Sequence, residues 1–184
     1  MRQIHPTRRT AMSRTIRVLS GAATFASGVT AAVYTIFSTM TMPSLAAMPA
    51  AEGLARMQQF NRDAEQGPFM AAFFGAAALS VATIAFGARA PRSTRSRLAL
   101  VGSCLYLSGF VLTIVYHVPR NYAIAGLDAS ASSSVGPWTA FLSEWTAGNT
   151  VRAVLSTAAT AAFAAAFFAR GSARAERPAS SART

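Results

Sequence analysis

The sequence predicts an all-α integral membrane protein: a four-helix bundle with a short amphipathic helix in each of its two outer loops. Three observations carry this. The chain has 184 residues, 52% of them apolar. Formal charge is absent from four stretches, Val18 to Ala51, Gln66 to Ala88, Leu98 to Pro119 and Ala153 to Ala169, and a helix crosses the hydrocarbon with about 20 mostly apolar residues, about 17 at the least. The net charge of +11 comes from arginines that flank those stretches. Spans are expected near 17–40, 68–88, 98–118 and 150–169, in a membrane domain over 16–170. Basic tails at 1–15 and 171–184, rich in Arg, Ser, Thr, Ala and Pro, are expected to be disordered.

The first span follows a basic leader and ends near "SLAAMPA", which imitates a cleaved secretory signal. A signal's apolar core is only about 7–15 residues long. The uncharged run here is more than twice that, so the span is expected to stay uncleaved. Ser20, Thr24, Ser27, Tyr34, Ser38 and Thr41 recur along it at steps of four, three and seven. Such a stripe lets membrane helices approach and hydrogen-bond. The outer loop after Pro49 reads "AAEGLARMQQFNRDAEQ", with Leu54, Met57, Gln58 and Asn61 on one helical face.

The second span is apolar throughout. Four arginines, Arg89, Arg92, Arg95 and Arg97, separate it from the third. The third carries its own stripe of Gly102, Tyr106, Gly109, Thr113, Tyr116 and Arg120. In the second outer loop, after Gly136 and Pro137, "WTAFLSEW" puts Trp138, Phe141, Leu142 and Trp145 on one face, and proline suits the first helical position. That face runs on to Asn149, Arg152, Ser156 and Thr160 of the fourth span.

Both tails and the loop at 89–97, together with Arg17 and Arg170 at the adjoining span ends, hold thirteen of the seventeen arginines. The positive-inside rule then puts both termini in the cytoplasm, in a multi-pass protein of the cell membrane. A nucleic-acid partner is a poor reading of this charge, because the arginines flank spans and form no interleaved patch. Cys104 is alone, which excludes an internal disulfide and a CxxC redox motif. A bis-histidine haem would need His5 and His117, on opposite faces of the bilayer. The acids lack the Glu-x-x-His pairing of a di-iron bundle, and no phosphate-binding glycine loop is present. No metal or other cofactor is expected.

Polar groups from separate segments converge on the outer side: Gln58 and Asn61, then His117 and Asn121, then Asn149 and Arg152. Ionisable and amide groups at membrane depth are expensive and mark sites by default. His117, Asn149 and Arg152 are the central candidates, with Gln58, Asn61, Asn121, Tyr116, Trp138 and Trp145 around them, the tryptophans on a lid.

The stretches "FSTMTMPSLAAMPAAEGLARMQQFNRDAEQGPFM", "YLSGFVLTIVYHVPRNYAIAGLD" and "WTAFLSEWTAGNTVRAVLS" resemble the signatures of the anthrone oxygenase family, small four-span membrane proteins, in order and spacing. The matching positions are Met42, Pro43, Met57, Gln58, Asn61, Pro119, Asn121, Asp128, Trp145, Asn149, Val151 and Arg152. The chain departs from the family at His117, where asparagine is typical, and in Gly148-Asn149-Thr150-Val151-Arg152, where Trp-Asn-His-Val-Arg is typical, so that Gly148 replaces a tryptophan and Thr150 a histidine. The resemblance implies oxidation of a hydrophobic aromatic polyketide-type substrate by O2 without metal or flavin, an anthrone oxygenase-like monooxygenase activity. For that reaction His117 would be the catalytic base, since an unperturbed imidazole titrates near neutrality, and Arg152 with Asn149, Asn121 or Asn61 would supply donors to a developing oxyanion, the other candidates binding substrate. The alternative is a non-catalytic membrane subunit or structural membrane protein. Its stripes would then pack a membrane partner or a second copy in a homo-oligomer.

Overall fold

The computed structural model describes residues 6–90 and 93–169. Four of its helical segments are long and apolar enough to cross a membrane: Thr10–Ala46, Pro68–Gly87, Thr94–Ala125 and Ser132–Phe168. The first is α1 (Pro6–Ile36), which passes through a π turn (Phe37–Thr41) into α2 (Met42–Ala46). A loop helix α3 (Ala50–Gln66) leads to α4 (Pro68–Gly87). The third segment is α5 (Thr94–Leu112), a second π turn (Thr113–His117) and α6 (Val118–Ala125). A 3-10 turn (Ser132–Ser134) opens α7 (Val135–Phe168). Around the bundle α1 packs on α4, α4 on α5, α5 on α7 and α7 on α1, an up-and-down arrangement.

Two expectations change. The N-terminal tail, expected to be disordered over 1–15, is helical from Pro6 onward; residues 1–5 and the tail at 171–184 lie outside the described residues. The segment Trp138 to Trp145 is helical as expected, but it forms the first turns of α7 and is continuous with the fourth span. No proline or charge cluster interrupts its buried face between Trp145 and Arg152, so nothing stops the helix there. At about 1.5 Å per residue the 34 residues of α7 reach about 50 Å. That exceeds the roughly 30 Å of hydrocarbon, and the surplus stands above the bundle.

This surplus, with α2, α3 and α6, makes a cap with its own core of Met42, Leu45, Leu54, Met57, Ile124, Trp138, Phe141 and Trp145. The membrane part is built the other way round from a water-soluble protein. Val18, Phe25, Phe74, Val101, Val111 and Val154 face outward, while Ser20, Ser27, Thr30, Ser80, Thr83 and Ser103 are buried. Ser20, Ser27, Ser80 and Ser103 each spend the hydroxyl on the carbonyl four residues back, as Ser20 does on Ile16 (2.8 Å) and Ser103 on Ala99 (2.9 Å). The residue stays small and satisfied, so neighbouring helices approach closely. Tyr106 Oη donates across to the Phe73 carbonyl (2.9 Å), and Thr160 and Ser27 hydroxyls meet at 2.9 Å. At the terminal end Arg95 clamps the carbonyls of Ala166 and Ala169 together with Ser13 Oγ. A cation suits a helix C-terminus, where carbonyls lack partners.

The two π turns have a common cause. Pro43 and Pro119 each lack an N–H, and a proline ring clashes with the carbonyl four residues back, here Thr39 and Val115. Both residues lie inside the π turns. Widening the helix by one residue, with Met42 N–H donating to Phe37 and Val118 N–H to Thr113, carries the chain past each proline.

Gly53 fixes the seat of α3 in the cap. A Cβ there would stand 2.8 Å from the Leu45 carbonyl oxygen and 3.1 Å from the Trp138 ring. Overpacking costs about 1–3 kcal/mol, against about 1 kcal/mol gained in helix propensity. Gly53→Ala is therefore expected to lower the thermal midpoint and to raise proteolysis within α3, measured on the protein in nanodiscs.

Candidate functional site

The site lies where the cap meets the bundle, between the two π turns and the middle of α7. Arg152 is its centre. It is 5% exposed, and Asn149 one turn earlier is fully buried. Arg152 Nη2 donates to Asn149 Oδ1 (2.7 Å) and Nη1 to Thr113 Oγ1 (3.3 Å). Thr113 passes its own proton to the Gly109 carbonyl (3.0 Å). Asn149 Nδ2 donates to the Tyr34 carbonyl and to Ser38 Oγ, both at 2.7 Å. Ser38 and Thr113 are thus held by opposite π turns and grip opposite ends of one amide–guanidinium pair.

The guanidinium carbon lies 4.3 Å from the centre of the Tyr34 ring and 5.2 Å from that of Trp145. These ring faces are the electron-rich surroundings of the cation. Among the described residues the side-chain ion pairs are Arg56 with Glu52 and Arg120 with Glu144; no carboxylate reaches Arg152. Its Nε is buried without a partner of hydrogen-bond geometry, and so is Tyr34 Oη. Buried charge is normally paired with an opposite charge; here neutral dipoles and ring faces surround the cation instead.

His117 ends the second π turn and is fully buried. Its ring meets Trp145 edge-on at 5.2 Å and Tyr116 at 5.1 Å. Neither ring nitrogen has a partner of hydrogen-bond geometry. Gly148 makes room for it: a Cβ at 148 would lie 2.9 Å from His117 Nε2 and 2.6 Å from Tyr116. Trp145 contacts both Arg152 and His117 and so joins the two halves of the site.

The remaining candidates are more dispersed. Trp145 Nε1 donates to Asn121 Oδ1 (2.8 Å), which orients the indole. Gln58 Nε2 donates to the carbonyls of Ile124 and Leu127 (2.8 and 3.0 Å), closing the end of α6 from α3. Asn61 keeps a buried Nδ2 without a partner. Trp138 stacks on Phe141 in the cap core, 5.7 Å between ring centres. Tyr116 is half-buried under Arg120 and donates to the Glu144 carbonyl (3.0 Å). Asp128 is an exposed turn residue; the hydroxyl and N–H of Ser130 hold its carboxyl below the usual range.

Tyr34, Ser38 and Thr113 are site residues that sequence reasoning left among packing positions. Their signal was present, since Tyr34 and Ser38 are one turn apart on the first stripe and Thr113 lies on the third. Thr150 is exposed, its hydroxyl 3.1 Å from Ser38 Oγ, whereas His117 sits buried against Gly148. The departures at His117 and Thr150 are therefore not neighbours: His117, on the third segment, packs against α7 at Gly148, while Thr150 is exposed on α7 beside Ser38. A groove of about 440 Å³ reaches Thr150 from outside, lined by Met42, Pro43, Ala46, Leu142 and Thr146 among others. Among the described residues no three His, Cys, Asp or Glu stand together as metal ligands.

Asn149→Ala would strip the buried cation of its acceptor and open the bond to Ser38. Losing the partner of a buried charged group costs about 1–3 kcal/mol or more. A clear fall in the thermal midpoint is expected, whereas Thr150→Ala, at the exposed hydroxyl, is expected to change it little.

The sequence model of the family described as anthrone oxygenase matches residues 57–162. No curated protein and no solved structure matches the chain.

Proposed function

The chain belongs to the anthrone oxygenase family, and from that we propose that it oxidises a hydrophobic aromatic polyketide-type substrate with O2, using its own side chains. The protein is then a multi-pass protein of the cell membrane with both termini cytoplasmic, as the arginine distribution argues. The observation that carries the catalytic reading is the buried Arg152 guanidinium with an unpartnered Nε and no bonded carboxylate. A cation kept without an anion suits a reaction in which negative charge develops on a substrate oxygen.

The chemistry starts at a methylene held between two aryl rings and conjugated to a carbonyl. His117 takes one methylene proton through a free ring nitrogen, and the charge spreads to the carbonyl oxygen beside Arg152. The enolate carbon then gives its electron pair to O2, and protonation of the distal oxygen yields a hydroperoxide. Loss of the second C–H proton and cleavage of the O–O bond release water and leave a second carbonyl. Methylene and O2 thus become carbonyl and water, with one oxygen atom in each product. Asn149 holds the guanidinium and Trp145 offers an aromatic wall.

The competing reading is a non-catalytic membrane subunit or structural protein. It draws on Gln58, Asn121 and Asn149, whose amides tie one helix to another.

An anthrone added to the purified protein in nanodiscs distinguishes the two. Oxygen uptake and quinone absorbance above spontaneous autoxidation are expected from the wild type. Arg152→Ala should abolish them while leaving folded protein, and His117→Gln should slow turnover by about 10²–10⁴, the usual contribution of a positioned base. Rates equal to autoxidation, or an Arg152→Ala variant as active as wild type, would sink the oxyanion role.

A further inference from the structure

The oxygenase reading uses Arg152, Asn149 and His117 and leaves the Tyr34 hydroxyl without a task. Tyr34 stands on α1, outside the segment that matches the family. We propose that Tyr34 Oη and Arg152 Nε form a two-donor seat for a single, negatively charged oxygen of an aromatic ligand, a phenolate or enolate.

Arg152 Nη2 donates to Asn149 and Nη1 to Thr113. Thr113 donates in turn to the Gly109 carbonyl, and Asn149 to the Tyr34 carbonyl and Ser38. The buried atoms left without a partner of hydrogen-bond geometry are Arg152 Nε and Tyr34 Oη, on two residues each 5% exposed. Burying a donor without an acceptor is destabilising, and two such donors beside each other raise the same need twice.

Geometry puts them together. The guanidinium lies over the Tyr34 ring, and the hydroxyl is within electrostatic reach of Thr113 and Arg152. The ring is braced edge-on by Phe69 at 5.9 Å, and α1 is held to α7 by the bond from Asn149 to the Tyr34 carbonyl. An acceptor that answers two donors and a net positive charge is an anionic oxygen. The walls are aromatic rings, Tyr34 and Trp145, so the body carrying that oxygen is flat and apolar. The ligand class rests on the oxygenase reading; the seat itself rests on the unpartnered donors.

The test uses the full chain in nanodiscs and a hydroxyanthraquinone, whose absorbance shifts to longer wavelength when its phenol ionises. Bound to wild type, the dye is expected to ionise at lower pH than in empty nanodiscs. Tyr34→Phe keeps the ring and its contact with Arg152 and removes the oxygen. It is expected to weaken binding of the ionised dye about 10- to 100-fold, the range for a hydrogen bond to a charged group. Affinity for the neutral dye should hold, and the thermal midpoint should be unchanged or higher, since the lost hydroxyl had no partner. Turnover should fall about 10²–10³-fold, as for removal of one oxyanion donor.

Dye ionisation that is the same in empty nanodiscs, or the same in wild type and Tyr34→Phe, overturns the seat whatever the activity. So does a lowered midpoint in the variant, which would show the hydroxyl bonded within the fold. A Tyr34-dependent dye shift without anthrone turnover keeps the seat and discards the oxygenase reading. Turnover that is insensitive to Tyr34→Phe does the reverse.

Discussion

A guanidinium buried at membrane depth has to be stabilised by something, and around Arg152 that something is a set of oriented dipoles and ring faces. Asn149, Thr113, Tyr34 and Trp145 surround it in place of a carboxylate. In a medium of low dielectric such dipoles are worth far more than in water, provided they are held still. Much of the fold can be understood as the means of holding them. The first span supplies Tyr34 and Ser38, the third supplies Thr113 and His117, and the fourth supplies the cation itself.

Precision at that point comes from prolines and glycines outside the chemistry. Pro43 and Pro119 force each flanking helix to widen, and the resulting π turns carry Ser38, Thr113 and His117. Such bulges occur often at functional sites because they re-aim side chains without ending the helix. Gly148 then lets the His117 imidazole lie against α7 where any larger residue would collide. The cap above closes the site by ordinary hydrophobic packing, with Trp145 belonging to the cap core and also touching Arg152 and His117. Stability of the cap and geometry of the site are therefore linked through one indole.

The membrane portion solves a separate problem. Lipid offers hydroxyls nothing, so the buried serines satisfy themselves on their own helix and serve as small spacers. Interhelical specificity is left to a few long-range bonds, Tyr106 to Phe73 and Arg95 to the end of α7. Both ends of the bundle are thus tied by polar contacts, and the middle is filled by alanine and Phe163.

The four spans, the side expected to face the cytoplasm and the fourth span's polar mouth were legible in the residues alone, because charge-free length, arginine placement and helical spacing are local properties of the chain. Asn149 and Arg152 could be read as a pair for the same reason, being three residues apart on one helix. The tertiary structure decided what they face. That Tyr34 and not Gln58 stands against Arg152, that Gln58 and Asn121 serve to close and orient the cap, and that His117 packs against Gly148 of α7, away from Thr150, all depend on how helices rotate and pack. Periodicity places a residue on a face; only the neighbouring helices, set by small residues and by the two π turns, determine which face meets which.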